Sequence, residues 1–271
     1  MNVFKIELKR AILNKWMVIS ILIGFVICCL PIYEKFNNMQ LFLSSKYVPG
    51  AEHIVFTDTV YQQFILFDRF EPCLYIFLFI MPILVSLPYG ASFYNDTRSG
   101  YIKQIITRSN TRKYLFSKYL STFISGGVAA TIPVVTNFMI LALIYPLNKP
   151  IRFYTNYRGE ETFTIDLFFE YPLLHTIFWC FVLFVVAGLL ATISLAISRV
   201  VDNYFGIILT PFAFSFILIF ITYITQKSEY SFLYTISTSC VRMNYWILLY
   251  EIIGMFFAGF VSFVVIKKEV I

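Results

Sequence analysis

Charge is what this chain has least of: Asp, Glu, Lys and Arg make up 13% of its 271 residues, whereas hydrophobic residues make up 59% and mean hydropathy is +0.77. A soluble core of this length cannot bury so much apolar surface, which excludes an ordinary globular domain and makes the bilayer the solvent. There is no G-x-x-x-x-G-K-[ST] stretch, so the chain has no phosphate-cradling loop and cannot hydrolyse ATP by that route. Its two histidines, His53 and His175, form neither H-E-x-x-H nor an intramembrane pair, which removes the common zinc and haem sites; both are expected as lone polar surface residues. The five cysteines include no C-x-x-C pair, and Cys28, Cys29, Cys73 and Cys180 are expected as apolar thiols in spans, with a Cys73–Cys240 bridge open but not expected. Alternating strands of about ten residues are absent, which excludes a barrel. No internal repeat or low-complexity tract is visible.

What remains is long apolar runs. Six read as membrane spans: 16–32, 74–93, 120–145, 172–197, 204–225 and 245–266. Lipid offers no hydrogen bonds, so each is expected to be a helix. The fold class is thus all-α integral membrane, six transmembrane helices with an N-terminal interfacial helix and two extended outer loops in a single membrane-spanning domain over 1–271. The first run ends Cys28, Cys29, Leu30, Pro31, Ile32 rather than in a small-residue cleavage site, so it is expected to be retained.

Loop charges set an orientation. One side collects Lys5, Lys9, Arg10, Lys15, the bases of the 94–119 loop, Arg199, Lys267 and Lys268. Short basic loops stay cytoplasmic, so both termini and the 94–119 loop are expected in the cytosol of a multi-pass plasma-membrane protein. The net charge of +6 is then mostly an orientation signal. Nucleic acid is not an expected partner, because the bases are not interleaved with exposed aromatics on a soluble domain. Asn2 to Asn14, with Phe4, Leu8, Ala11 and Ile12 on one helical face, suits an amphipathic helix in the cytoplasmic interface, or alternatively a basic anchor that only sets topology. The outer loops 33–71 and 146–171 are long and rich in acids and aromatics; they suit a cap that handles cargo or, equally, a packing lid without a ligand.

The 94–119 loop carries Arg98, Lys103, Arg108, Arg112, Lys113 and Lys118 against one acid, Asp96. Asp96 or Ser99 can cap a helix start, Gly100 permits close backbone approach, and Tyr101, Ile102, Ile105 and Ile106 make an apolar stripe on a basic helix. Such a helix can dock on a soluble partner; the competing reading is a topogenic loop on anionic lipid. Asp96 and Gly100, with three residues between them, then the Ile102–Ile105–Ile106 stripe, then Thr107, Thr111, Arg112, Leu115 and Lys118, resemble the cytosolic segment after the second span in permeases of the ATP-binding-cassette type-2 exporter family. Ser109 stands where that family often has Pro. The topology of six spans, cytosolic ends and an interfacial N-terminal helix is also similar, and the chain looks closest to small bacterial permeases of peptide-antibiotic export and immunity.

The resemblance implies a permease subunit that moves an amphipathic peptide, lipid or drug outward. It implies two ATPase subunits docking on Asp96, Gly100, Ile102, Ile105, Ile106, Arg108, Arg112 and Lys118, a second permease chain, and no cofactor on this chain, with ATP and Mg on the partner. The alternative is a non-transporting sensor or immunity protein that binds a peptide through its outer loops. Glu251, the one acid inside an expected span, is a candidate for substrate contact or gating, or else a structural acid. Pro82, Pro88, Pro133 and Pro211 are expected to kink helices, and Gly126/Ala130 and Gly254/Ala258 to permit close helix packing.

Overall fold

The computed structural model describes residues 3–45, 58–68, 71–107, 109–151, 164–227, 231–236, 245–261 and 263. Every regular element among them is a helix. Four are long and apolar enough to cross a membrane: α2 (Lys15–Ser45), α7 (Thr111–Leu141), α9 (Pro172–Ile197) and α10 (Tyr204–Thr225). Two shorter apolar helices, α4 (Pro72–Ser86) and α12 (Tyr245–Phe260), pack among them. Small helices complete the order: α1 (Val3–Ile12), α3 (Val60–Gln63), α5 (Ser92–Arg98), α6 (Tyr101–Ile106), α8 (Ile165–Glu170) and α11 (Phe232–Ile236).

The core is largely apolar, but along α7 small and polar residues also turn inward. The inward stripe of α7 carries Ser117, Lys118, Ser121, Thr122, Ser125, Gly126 and Asn137, all buried, while Phe116 and Met139 face outward. Likewise α2 exposes Val18, Leu22, Val26 and Leu30. Oily faces out and small or polar faces in is the arrangement lipid selects, because tails reward no apolar burial and helices gain by close approach.

Helices α7 and α9 form the central pair. A Cβ at Gly126 would sit 2.4 Å from the Ala191 Cβ, and one at Gly188 would sit 2.6 Å from the Phe123 carbonyl oxygen, so the crossing requires glycine on both sides. The Gly126/Ala130 pair is therefore an internal contact; Gly254, by contrast, faces open space.

Three expectations change. The first span does not stop at Ile32: α2 runs on to Ser45, through Pro31, so the outer loop starts later than residue 33. The second breaks at Ser86, and Pro88 lies in the turn that follows rather than kinking a helix; α4 has 15 residues, about 22 Å, short of the roughly 30 Å hydrocarbon layer. The third apolar run begins as helix at Thr111, because Asn110 caps it by accepting from the Arg112 N–H at 3.0 Å.

Pro211 cannot donate to the Ile207 carbonyl four residues back, and the Ser194 hydroxyl of α9 donates to that oxygen at 2.9 Å instead. Ser86 of α4 donates to the neighbouring Ile208 carbonyl at 2.9 Å. Side-chain hydroxyls thus fasten α10 where proline opened its backbone.

At one end the chain folds the described parts of 33–71 and 146–171 against the bundle. Thr59 and Gln62 close a capping box at the start of α3, and Val60, Tyr61, Phe64, Ile65, Leu66 and Phe67 are all buried. Phe67 meets Phe168 edge to face at 5.9 Å, against His175 and the α11 residue Phe232 in the same apolar cluster. Lys35 of α2 clamps this segment, with Asp68 at 2.7 Å, Glu71 at 3.7 Å and the Gln63 carbonyl at 2.6 Å. The described parts of 33–71 and 146–171 pack against the bundle; the rest of both segments lies outside the described residues.

Candidate functional site

The opposite end gathers α1, the elbow α5–α6 between α4 and α7, and Arg199, whose guanidinium stacks near Phe93 and Phe263. Beneath the elbow lies a knot of ionised side chains. Lys118 is fully buried; its ammonium donates to Glu7 Oε2 at 3.0 Å and to Asp96 Oδ2. Arg10 bridges the same two acids, reaching Asp96 Oδ1 at 2.7 Å and Glu7 Oε1 at 3.1 Å. The Tyr114 hydroxyl donates to Asp96 at 2.7 Å and the Tyr89 hydroxyl donates to Glu7. The Lys118 ammonium also lies over the rings of Tyr89 and Tyr114 at 5.0 and 5.2 Å. Two cations face two carboxylates, so the knot is neutral overall.

Each partner comes from a different piece of chain: Glu7 and Arg10 from α1, Tyr89 from the turn after α4, Asp96 from α5, Tyr114 and Lys118 from α7. Burial alone would raise the Asp96 carboxyl, but Lys118 and Arg10 outweigh it and hold it below the ordinary carboxylate range. Burial would lower the Arg10 guanidinium, and the Asp96 hydrogen bond overrides that and raises it.

This corrects the reading of the N-terminal helix. Its inward face is Val3, Glu7 and Ala11, with Phe4, Leu8 and Ile12 half-buried, and it packs on α7 rather than simply lying on lipid. Helical spacing offered the signal: Glu7 falls at i+4 between Val3 and Ala11, and Lys118 shares a stripe with Tyr114, Ser121, Thr122 and Ser125.

The elbow residues divide. Asp96 and Lys118 are consumed in the knot. Ile102 and Ile105 point into the bundle, in a cluster with Val3, Phe93, Tyr119, Leu195 and Phe263, and Ile106 is half-buried against it. Gly100 takes the left-handed φ of +72° that turns α5 into α6, with open space about it. Neither Asp96 nor Ser99 caps a helix start; the Ser99 hydroxyl donates to the Asp96 carbonyl at 3.4 Å. Arg108 lies outside the described residues. The solvent face of the elbow includes instead Thr97, Arg98, Lys103, Gln104, Arg112, Lys113 and Phe116, and no acid is exposed among its described residues.

His175 is a second correction. It is buried, and its Nε2 lies 3.1 Å from the donating Trp179 indole N–H and 3.2 Å from the Thr164 hydroxyl, inside the aromatic cluster. His53 lies outside the described residues. Glu251 of α12 has both carboxylate oxygens sealed from solvent with no hydrogen bond of ordinary geometry among the described residues, although the Phe232 backbone acts on it. Cys28 is buried; Cys29, Cys73 and Cys180 are half-buried and free, and Cys240 lies outside the described residues. Among the described residues no group of three or more His, Cys, Asp and Glu is placed to hold a metal ion. Comparisons with protein-family models, with curated proteins and with solved structures find no match to this chain.

Proposed function

We propose that the chain is the membrane subunit of an exporter powered by a separate ATP-binding-cassette subunit that docks on the elbow from the cytosol. The observation that carries this reading is mechanical. The elbow is one turn of Gly100 away from a rigid corner in which α5 is bonded through Asp96 to α7 and α1. A push on the basic face cannot be absorbed locally; it is delivered to α7, and through the close α7–α9 crossing to the centre of the bundle. A loop that served only to set topology would need no such tie.

The reading uses Arg98, Lys103, Arg112 and Lys113 as the contact to an acidic groove on the partner, whereas Ile102 and Ile105 hold the elbow to the bundle. It places both ends of the chain in the cytosol, lets α4 and α12 complete six spans, and pairs two copies of the permease, or this chain and a homologue, with two ATPases. The cargo is an amphipathic peptide, lipid or drug. Affinity purification of the tagged chain from its native membrane should bring down an ATP-binding-cassette subunit. The triple variant K103E/R112E/K113E should lose that subunit while keeping its monodisperse elution and melting temperature. Retention of the subunit by a folded triple variant sinks the docking assignment. Absence of any such subunit from the wild-type preparation favours the sensor or immunity reading.

A further inference from the structure

A cleft of about 180 Å³ opens at the basic end, where α1 meets α2, beside the turn after α4 and the start of α10. Its polar lining comes from Arg10, Trp16, Ser92, Asn95 and Tyr204, with Asn14 and with Tyr89, whose hydroxyl is given to Glu7, and no carboxylate lines it. The Asn14 amide is spent on the Arg10, Ala11 and Pro88 carbonyls at 3.1, 3.0 and 2.9 Å, so it fixes the shape of the cleft and has no donor left for a ligand. Ser92 is different. Its hydroxyl is buried in the wall without a hydrogen-bond partner among the described residues. A buried hydroxyl left unmatched is destabilising, so a group that accepts from it is favoured there.

The remaining lining groups are also donors. Arg10 gives three N–H···O contacts to Glu7 and Asp96 and lies 4.4 Å over the Tyr101 ring, yet its side chain stays 38% exposed, it lines the cleft, and not all of its N–H donors are taken. Asn95 lies exposed at the rim, and Tyr204 and Trp16 carry O–H and N–H groups. Depth is set by Trp16, part-exposed at the foot of α2 with the Lys15 ammonium 5.8 Å from its ring. A tryptophan beside a lysine at the start of a span belongs at headgroup level. The volume equals roughly six waters, room enough for a phosphodiester.

We infer that this cleft seats the phosphate of an anionic phospholipid headgroup, from the leaflet that faces the basic end. Ser92 and Asn95 donate to the phosphate oxygens, an Arg10 N–H not taken by Glu7 or Asp96 adds a further donor, and Trp16 packs on the glycerol. Because α1, the α4–α5 turn and α10 all border the cleft, an occupied site ties α10 to the charge knot. This inference is independent of the exporter reading and survives its failure.

The test uses the full chain in nanodiscs of phosphatidylcholine with or without phosphatidylglycerol. Native mass spectrometry counts retained lipid, and melting is followed in parallel. The wild type should retain phosphatidylglycerol over phosphatidylcholine and melt higher with it. Ser92→Ala should weaken retention several-fold, and Asn95→Asp at least tenfold by setting a carboxylate against the phosphate. Thr97→Asp makes an acid on the same short helix outside the cleft, with its hydroxyl otherwise spent on the Phe93 carbonyl, and should leave retention unchanged. Equal retention in all variants, or equal loss in Thr97→Asp, overturns the site. If inorganic phosphate in detergent raises the melting temperature as far as phosphatidylglycerol does, the ligand is a soluble anion and the lipid assignment is overturned.

Discussion

Replacing Lys118 with Met tests whether the charge knot holds the basic end together. Methionine keeps the length and apolar stem of lysine but leaves Glu7 and Asp96 sharing Arg10 alone. At 3.0 Å and an effective dielectric of about 20, the Lys118–Glu7 contact is worth roughly 5 kcal/mol before desolvation, and the Asp96 contact is of similar size. Withdrawing a lysine from water costs several kcal/mol, which cancels much of that sum. The variant also strands a negative charge in a dry site, however, and breaking buried pairs in this way costs about 3–5 kcal/mol. At roughly 2–4 °C per kcal/mol, melting in detergent should fall by on the order of 10 °C.

Two further arms make the result diagnostic. Glu7→Gln combined with Lys118→Met removes one charge of each sign and leaves the Arg10–Asp96 pair intact, so it should recover part of the loss; coupling of up to about 3 kcal/mol is expected for groups in direct contact. Because the knot is buried, moving from 0.1 to about 1 M salt should alter the deficit little. A melting temperature within about 2 °C of wild type for the single variant, or strictly additive losses in the double, would refute the argument that these ions interact across the bundle.

Three other outcomes follow from the same packing. Asp96 is held below the ordinary carboxylate range when folded, so its contribution is complete above the unfolded value near 4 and is lost as pH falls through the lower folded value; Asp96→Asn should flatten the acid limb of a melting-versus-pH curve and lower its neutral plateau. Ser194→Ala leaves the Ile207 carbonyl, orphaned by Pro211, without its donor, and should cost about 0.6–1.7 kcal/mol, read as a melting shift of a few degrees; Ser194→Thr, which keeps the hydroxyl, should lose less. Gly126→Val forces branched carbons into an α7–α9 crossing where even one Cβ meets Ala191 at 2.4 Å, so destabilisation of at least about 1–3 kcal/mol should appear as lost monodispersity.

Hydropathy made the long helices legible, and at α9 and α10 the expected bounds coincide with the observed ones. It misjudged the ends for a physical reason: Arg112, Lys113 and Lys118 lower hydropathy without opposing helix, so α7 begins nine residues before its apolar run, while Lys35 does not end α2. The elbow could be found by its charge, but its polarity could not be assigned. A basic helix with an apolar stripe reads as a docking face until one sees that Ile102 and Ile105 fill a cluster with Val3 and Phe263. The knot was least legible, because Glu7 and Lys118 are 111 residues apart and charged residues default to the surface. His175 failed in the same way, since its Thr164 partner comes from the loop before α8.

Glu251 is a buried acid that the packing leaves without a cation, in contrast to Glu7. Glu7 meets Arg10, Lys118 and Tyr89, whereas no cation among the described residues pairs with Glu251. An acid at the centre of a span costs about 2.5–3.5 kcal/mol on insertion scales, and a purely structural position would be better served by glutamine. Glu251→Gln should therefore raise the melting temperature by a few degrees. If the acid serves cargo or gating, the same variant should show reduced cargo-stimulated ATP hydrolysis in the complex proposed above with an ATP-binding subunit, a stability gain coupled to a functional loss. A variant that melts lower than wild type would mean that the carboxylate has a partner after all. A variant that melts higher but turns over normally would assign Glu251 to packing beside Phe232 and to nothing more.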